Sequence, residues 1–182
     1  MNILNISVTV LSTIASVIAI TSVILSVRNR ERLSWRSVED GIRSTIKAMN
    51  LKSYSPDVII GIGRGGSIVG AMLAGNLGHV PFFALDTILS RSNGVTIAKA
   101  RYEVLPPNVT ELKIMLTIGD LYSGADLLAA IEMLERKGAK QLTTMALFSH
   151  AVTSIRPDYV GRELSKPLNA PWRLTDSYKT RY

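Results

Sequence analysis

Two short stretches carry most of the residues able to do chemistry, and each stands directly behind an apolar run. The first reads DVIIGIGRGGSIVG over residues 57–70, with Gly63, Gly65 and Gly66 around Arg64. Residues without side chains let backbone N–H groups close around phosphate oxygens while the following helix presents its positive end. Arg64 adds a fixed charge and a planar donor fork. The letters also fit G-x-G-x-x-G, which is weak when it stands alone, and the stretch lacks the GK[ST] ending of a P-loop. A plain tight turn is the competing explanation. The second stretch, GDLYSGAD over residues 119–126, gathers Asp120, Tyr122, Ser123, Gly124, Ala125 and Asp126 at the start of a helix. A carboxylate beside a hydroxyl and a glycine suits a ribose phosphate. On this stretch alone an ordinary helix N-cap is the better explanation, because Asp and Ser are the commonest capping residues.

The elements that must position these loops can be read around them. VIIGI is short, continuous and β-branched, the pattern of a buried strand, and residues 67–77 form a small apolar helix that Gly78 closes. VPFFALD gives a second strand, so strand, loop, helix and strand make a βαβ unit with a parallel sheet. After a polar region with an SNG turn and a PPN break, whose VTIAKARYEV segment reads as an extended arm, a second unit follows. It consists of KIMLTI, a helix over residues 125–137 closed by Gly138, and QLTTMALF. Both chemistry-bearing loops therefore leave the carboxyl ends of parallel strands, where ligands sit in open sheets. Ahead of them Ser34 is placed to cap a helix with Trp35, Val38, Ile42, Ile46 and Met49 on its inner face.

Composition narrows the partners without choosing one. A chain of 182 residues suits one domain, and 21 Lys+Arg against 14 Asp+Glu, a net charge of +7, favours a phosphate-bearing ligand, an anionic surface or nucleic acid. No cysteine is present and the two histidines, His79 and His150, lack ligand spacing, so a disulfide framework and a thiolate metal site are excluded and a structural metal is not expected. Residues 3–27 carry no charge. As a helix they would reach roughly 37 Å, more than the roughly 30 Å core of a bilayer. Arg28, Arg30, Arg32 and Arg36 follow, which predicts a single-pass anchor with the C-terminal part in the cytoplasm. The expected organisation is an anchor over 1–27, a basic flank over 28–33 and one domain over 34–182. Ser12, Ala15, Ser16, Ala19, Ser22 and Ser26 form a small-residue face through which such anchors self-associate, here giving a homo-oligomer. Back-bonding of serines to the preceding turn explains the same residues.

Taken together, residues 35–182 resemble type I phosphoribosyltransferases, most closely the small purine salvage group that includes the xanthine/guanine enzymes. GRGGSIVGAMLAGNLG is similar to the family's pyrophosphate loop and helix, and PDYVG and PW resemble segments of its C-terminal hood. The resemblance implies an α/β parallel-sheet fold with a small hood, phosphoribosyl pyrophosphate (PRPP) or a nucleotide as ligand, and Mg²⁺ as cofactor. It implies that Arg64, Gly65 and Gly66 hold the pyrophosphate and that residues 122–126 surround the 5-phosphate. Tyr159, Trp172 and His150, the last at a position where a lysine commonly meets the base carbonyl, would face the base. The family's motif has two adjacent acids after the third strand. Here Gly119 replaces the first and Asp120 remains as the catalytic carboxylate and the contact to Mg-PRPP, while Asp126 stands where a threonine bonds the phosphate. Two functions follow as expectations: a membrane-anchored transferase of ribose 5-phosphate to a purine-type base, or a catalytically weak or silent relative that senses nucleotides at the membrane. The basic residues are better explained by topology than by nucleic acid.

Overall fold

The runs of β-branched and apolar residues close into a six-stranded sheet in the computed structural model, which describes residues 14–19, 21, 31–92, 95–151, 153 and 155–173. In chain order the elements are β1 (Glu31–Arg32), α1 (Trp35–Leu51), β2 (Val58–Ile62), α2 (Gly63–Asn76), β3 (Phe82–Ser92), β4 (Val95–Val104), β5 (Lys113–Leu121), α3 (Ala125–Arg136), β6 (Gln141–His150), β7 (Tyr159–Leu164) and β8 (Leu168–Asn169). The sheet order is β4-β3-β2-β5-β6-β7. All its pairs are parallel except β3 with β4, which form a long antiparallel hairpin from the segment expected as an arm.

The central strands are buried on both faces, which is why they read as continuous apolar runs rather than alternating ones. Successive residues still point to opposite sides. Ile59, Met115 and Met145 pack with Val38, Ile42 and Met49 of α1 and Val69 and Leu73 of α2. Val58, Ile60, Ile62 and Leu116 pack with Leu127, Ala130 and Leu134 of α3 on the other face. Ser34 caps α1 as expected, its hydroxyl accepting from Ser37 N at 3.3 Å. The expected inner face of that helix is buried at Val38, Ile42 and Met49, whereas Trp35 is half exposed.

The part ahead of α1 differs from expectation. Glu31 and Arg32 pair with Leu168 and Asn169 in a two-stranded parallel ladder. Leu33 is buried and Arg162 Nη2 meets Glu31 Oε1 at 2.5 Å. The folded unit therefore takes in residues 31–33 of the expected basic flank. The membrane anchor, and with it the single-pass localisation and the bilayer as a partner, is overturned: among the described residues no helix is long and apolar enough to cross a membrane. Of residues 3–27 only 14–19 and 21 are described as helical. The other residues of 3–27, including Ser12, Ser22 and Ser26, lie outside the described residues. Thr21 Oγ1 donates back to Val17 O at 2.7 Å, the local bonding that competes with the self-association reading.

Candidate active site

At the carboxyl edge of the sheet β2 passes into α2 without an intervening loop. Gly63, the first helical residue, has φ +61°, a left-handed backbone that favours glycine, and so lets the helix start directly at the strand end. The first-turn N–H groups have no intrahelical acceptor, and Ile62 at the cap position offers no side-chain bond. Such a helix start is suited to an anion. Arg64 is exposed and has no ion-pair partner among the described residues. The neighbouring glycines serve a different end from the open amides expected of them. A Cβ on Gly66 would lie 2.3 Å from Thr117 O, so that glycine lets α2 sit against β5, where Thr117 Oγ1 donates to Gly66 O at 3.0 Å.

The end of β5 brings Asp120 beside this helix start, and partners from two later segments meet it. His150 Nε2, at the end of β6, donates to Asp120 Oδ1 at 2.9 Å, and Arg173 Nη2 donates to Asp120 Oδ2 at 3.3 Å. The His150 side chain is only 4% exposed and that of Asp120 16%, so this carboxylate is held inside the edge rather than projecting from it. Tyr122 lies edge-on to the His150 ring at 5.1 Å. Beyond it Gly124 takes φ +84° at the cap of α3, and Ser123 Oγ accepts from Ala125 N at 3.4 Å. Asp126, at the position where the resemblance puts a phosphate-bonding threonine, is held by β3: Thr87 Oγ1 donates to its Oδ1 at 2.6 Å. The β3–β4 register shifts between Asp86 and Thr87, an irregularity of the kind that re-aims a side chain.

Trp172 roofs the cluster. A Cβ on Gly65 would lie 3.0 Å from its Nε1, and one on Gly119 would lie 2.8 Å from its Cζ2 and also 2.8 Å from Gly65 Cα. The indole stacks on Phe148 at 6.3 Å and meets Trp35 at 6.4 Å. Arg64, Gly65, Gly66, Asp120, Tyr122, His150 and Trp172 thus come to one edge.

Tyr159 does not. It opens β7 opposite Met145, whereas His150 pairs with Leu164 at the far end of the same strand. Its ring packs on Tyr54 at 5.9 Å under Lys52 Nζ at 4.8 Å, so it is a packing residue and its expected role at the base is corrected. Burial raises both phenols above their ordinary value, and the Asp158 carboxylate adds to this. In the unfolded chain these phenols ionise at the ordinary value of 10.0, so stability is full below that pH and falls as pH rises past it. Urea midpoints should therefore drop between pH 9 and pH 11, and Tyr54→Phe should flatten that drop; equal slopes for both proteins would show that the pair is not responsible.

Arg173, Thr87 and the close approach at Gly119 were missed from the sequence. The only signal for Arg173 was its place next to the PW pair. Nor does the donor set suit a bound Mg²⁺. Both Asp120 oxygens are engaged, Gly119 offers none, and no group of three or more His, Asp or Glu that could hold a metal occurs among the described residues.

The sequence profile of the phosphoribosyl transferase domain matches residues 29–177. Among solved structures, a purine phosphoribosyltransferase from Pyrococcus horikoshii superposes with a TM-score of 0.72 at 24% identity, covering 80% of this chain and 95% of that one. A hypothetical protein from Neisseria gonorrhoeae with bound ppGpp gives 0.67 at 16% identity over 81% and 92% of the two chains. The Helicobacter pylori xanthine-guanine-hypoxanthine phosphoribosyltransferase gives 0.65 at 17% identity over 79% and 93%. At these identities the likeness is one of fold. No curated protein matches the chain.

Proposed function

The chain belongs to the phosphoribosyl transferase domain family, and on that premise we propose that it binds PRPP or a nucleotide at the carboxyl edge and transfers ribose 5-phosphate to a purine-type base. The observation that carries this reading is Arg64, exposed and without an ion-pair partner among the described residues at the start of α2, with Asp120 and His150 on the neighbouring strands β5 and β6. The diphosphate would lie against the first turn of α2 and Arg64. The ribose would lie beside Asp120 and the α3 cap, and the base against His150, Tyr122 and Trp172. In the reaction a base nitrogen attacks C1, the bond from C1 to the pyrophosphate oxygen breaks with its electron pair going to that oxygen, and the base gives its N–H proton to the released pyrophosphate or to water. Charge developing on the leaving oxygens is what a guanidinium and helix N–H groups stabilise. Members of this family generally use Mg²⁺ with PRPP.

Binding without transfer is the second reading, and the engagement of both Asp120 oxygens favours it. The neighbour seen with ppGpp supports a ribose-borne diphosphate as the ligand class in either case. Pyrophosphate release from PRPP with guanine, xanthine, hypoxanthine or adenine is the expected result. Saturable PRPP binding with no release on any of the four bases would remove the transferase reading and leave the binder.

A further inference from the structure

We infer that this site takes its diphosphate without a protein-held divalent cation, Asp120 acting as an internal counter-ion that positions His150 and Arg173 while Arg173 and Arg64 supply the charge a metal would bring. The inference rests on the reading above that a diphosphate binds here. A hard cation needs carboxylate or other oxygens free to face it. Both Asp120 oxygens are already engaged, Oδ1 by the buried His150 and Oδ2 by Arg173, so a cation there would have to share each oxygen with an N–H donor, one of them a guanidinium. The neighbouring position has no room for a second acid: a Cβ on Gly119 would lie 2.8 Å from the Cα and carbonyl carbon of Gly65, backbone that cannot rotate away. Asp126 is already the acceptor of Thr87.

The positive side of the account is equally specific. Arg64 is exposed with no ion-pair partner among the described residues, and the side chain of Arg173 is 53% exposed at the same edge. Two guanidinium forks and the first turn of α2 can neutralise a diphosphate directly, since charge-assisted, planar contacts to phosphate are the strength of arginine. Trp172, next in chain to Arg173, is locked on Phe148 and Trp35 and so fixes where that guanidinium starts from.

Calorimetric titration of the full chain with inorganic pyrophosphate and with PRPP, each in Mg²⁺ and in EDTA, tests this. Affinity should agree within about twofold between the two conditions, whereas a loss of about tenfold or more on chelation would overturn the inference alone and leave the ligand reading standing. Absence of binding in both conditions would overturn both. Asp120→Asn separates counter-ion from metal ligand by sign. As a counter-ion it opposes the anion, so its neutralisation should tighten binding in EDTA by roughly threefold or more. Weaker binding in a folded Asp120→Asn protein would count against the proposal. Should that variant fail to fold, Arg173→Ala serves, since its side chain is half exposed. The proposal expects weaker binding in EDTA, and a gain in Mg²⁺-dependent affinity on freeing Asp120 would overturn it.

Discussion

Gly119→Asp, the substitution that would rebuild the family's acidic pair on paper, is expected to destabilise the protein by about 3 kcal/mol or more and to add no transfer activity. The obstacle is space rather than backbone conformation, because Gly119 is not among the glycines with positive φ. Its Cβ would come within 2.8 Å of Gly65 Cα and of Trp172 Cζ2. Neither neighbour can give way cheaply. Gly65 is part of the first turn of α2, which is packed on β5 through Gly66, and the indole is held between Phe148 and Trp35. Overpacking of this kind costs about 1–3 kcal/mol, and setting a carboxylate next to Asp120 adds a similar amount. Chemical unfolding of Gly119→Ala and Gly119→Asp measures the two parts separately. A Gly119→Asp protein as stable as the parent would show that the roof lifts more freely than its contacts imply, and the account of the missing acid would have to be abandoned.

Arg64→Ala carries the second large effect, this time on binding. Pyrophosphate or PRPP affinity should fall roughly 10- to 100-fold, corresponding to about 1.5–3 kcal/mol for a charge-assisted contact, while the unfolding midpoint stays unchanged. The separation of the two readouts follows from the structure, in which the side chain is exposed. Equal affinity in a folded Arg64→Ala protein would place the ligand elsewhere on the molecule.

Both expectations depend on how far each part of the site can be read from neighbouring residues. The start of α2 is legible because its determinants are consecutive: a β-branched strand, then glycines around an arginine, then a small apolar helix. The strands were legible for the same reason, since VIIGI and the IML of KIMLTI are buried on both faces and show it as short continuous apolar runs. The hairpin partner was less so. VTIAKARYEV alternates weakly and reads as an arm because its pairing with β3 is antiparallel, at an edge, and set by tertiary contact. The anchor expected over residues 3–27 is the opposite case: among the described residues no helix is long and apolar enough to cross a membrane.

From the sequence alone follow the α/β class, the parallel core, the phosphate-binding helix start and the family resemblance, because each is written in adjacent residues whose period and chemistry act locally. The tertiary structure alone decides the state of Asp120. Its partners His150 and Arg173 stand 30 and 53 residues further along the chain, and the reason no second acid stands beside it is the contact of Gly119 with Gly65 and Trp172. A carboxylate's chemistry depends on which donors reach its two oxygens, and donors that arrive from distant segments leave no periodic or spacing signal in the chain.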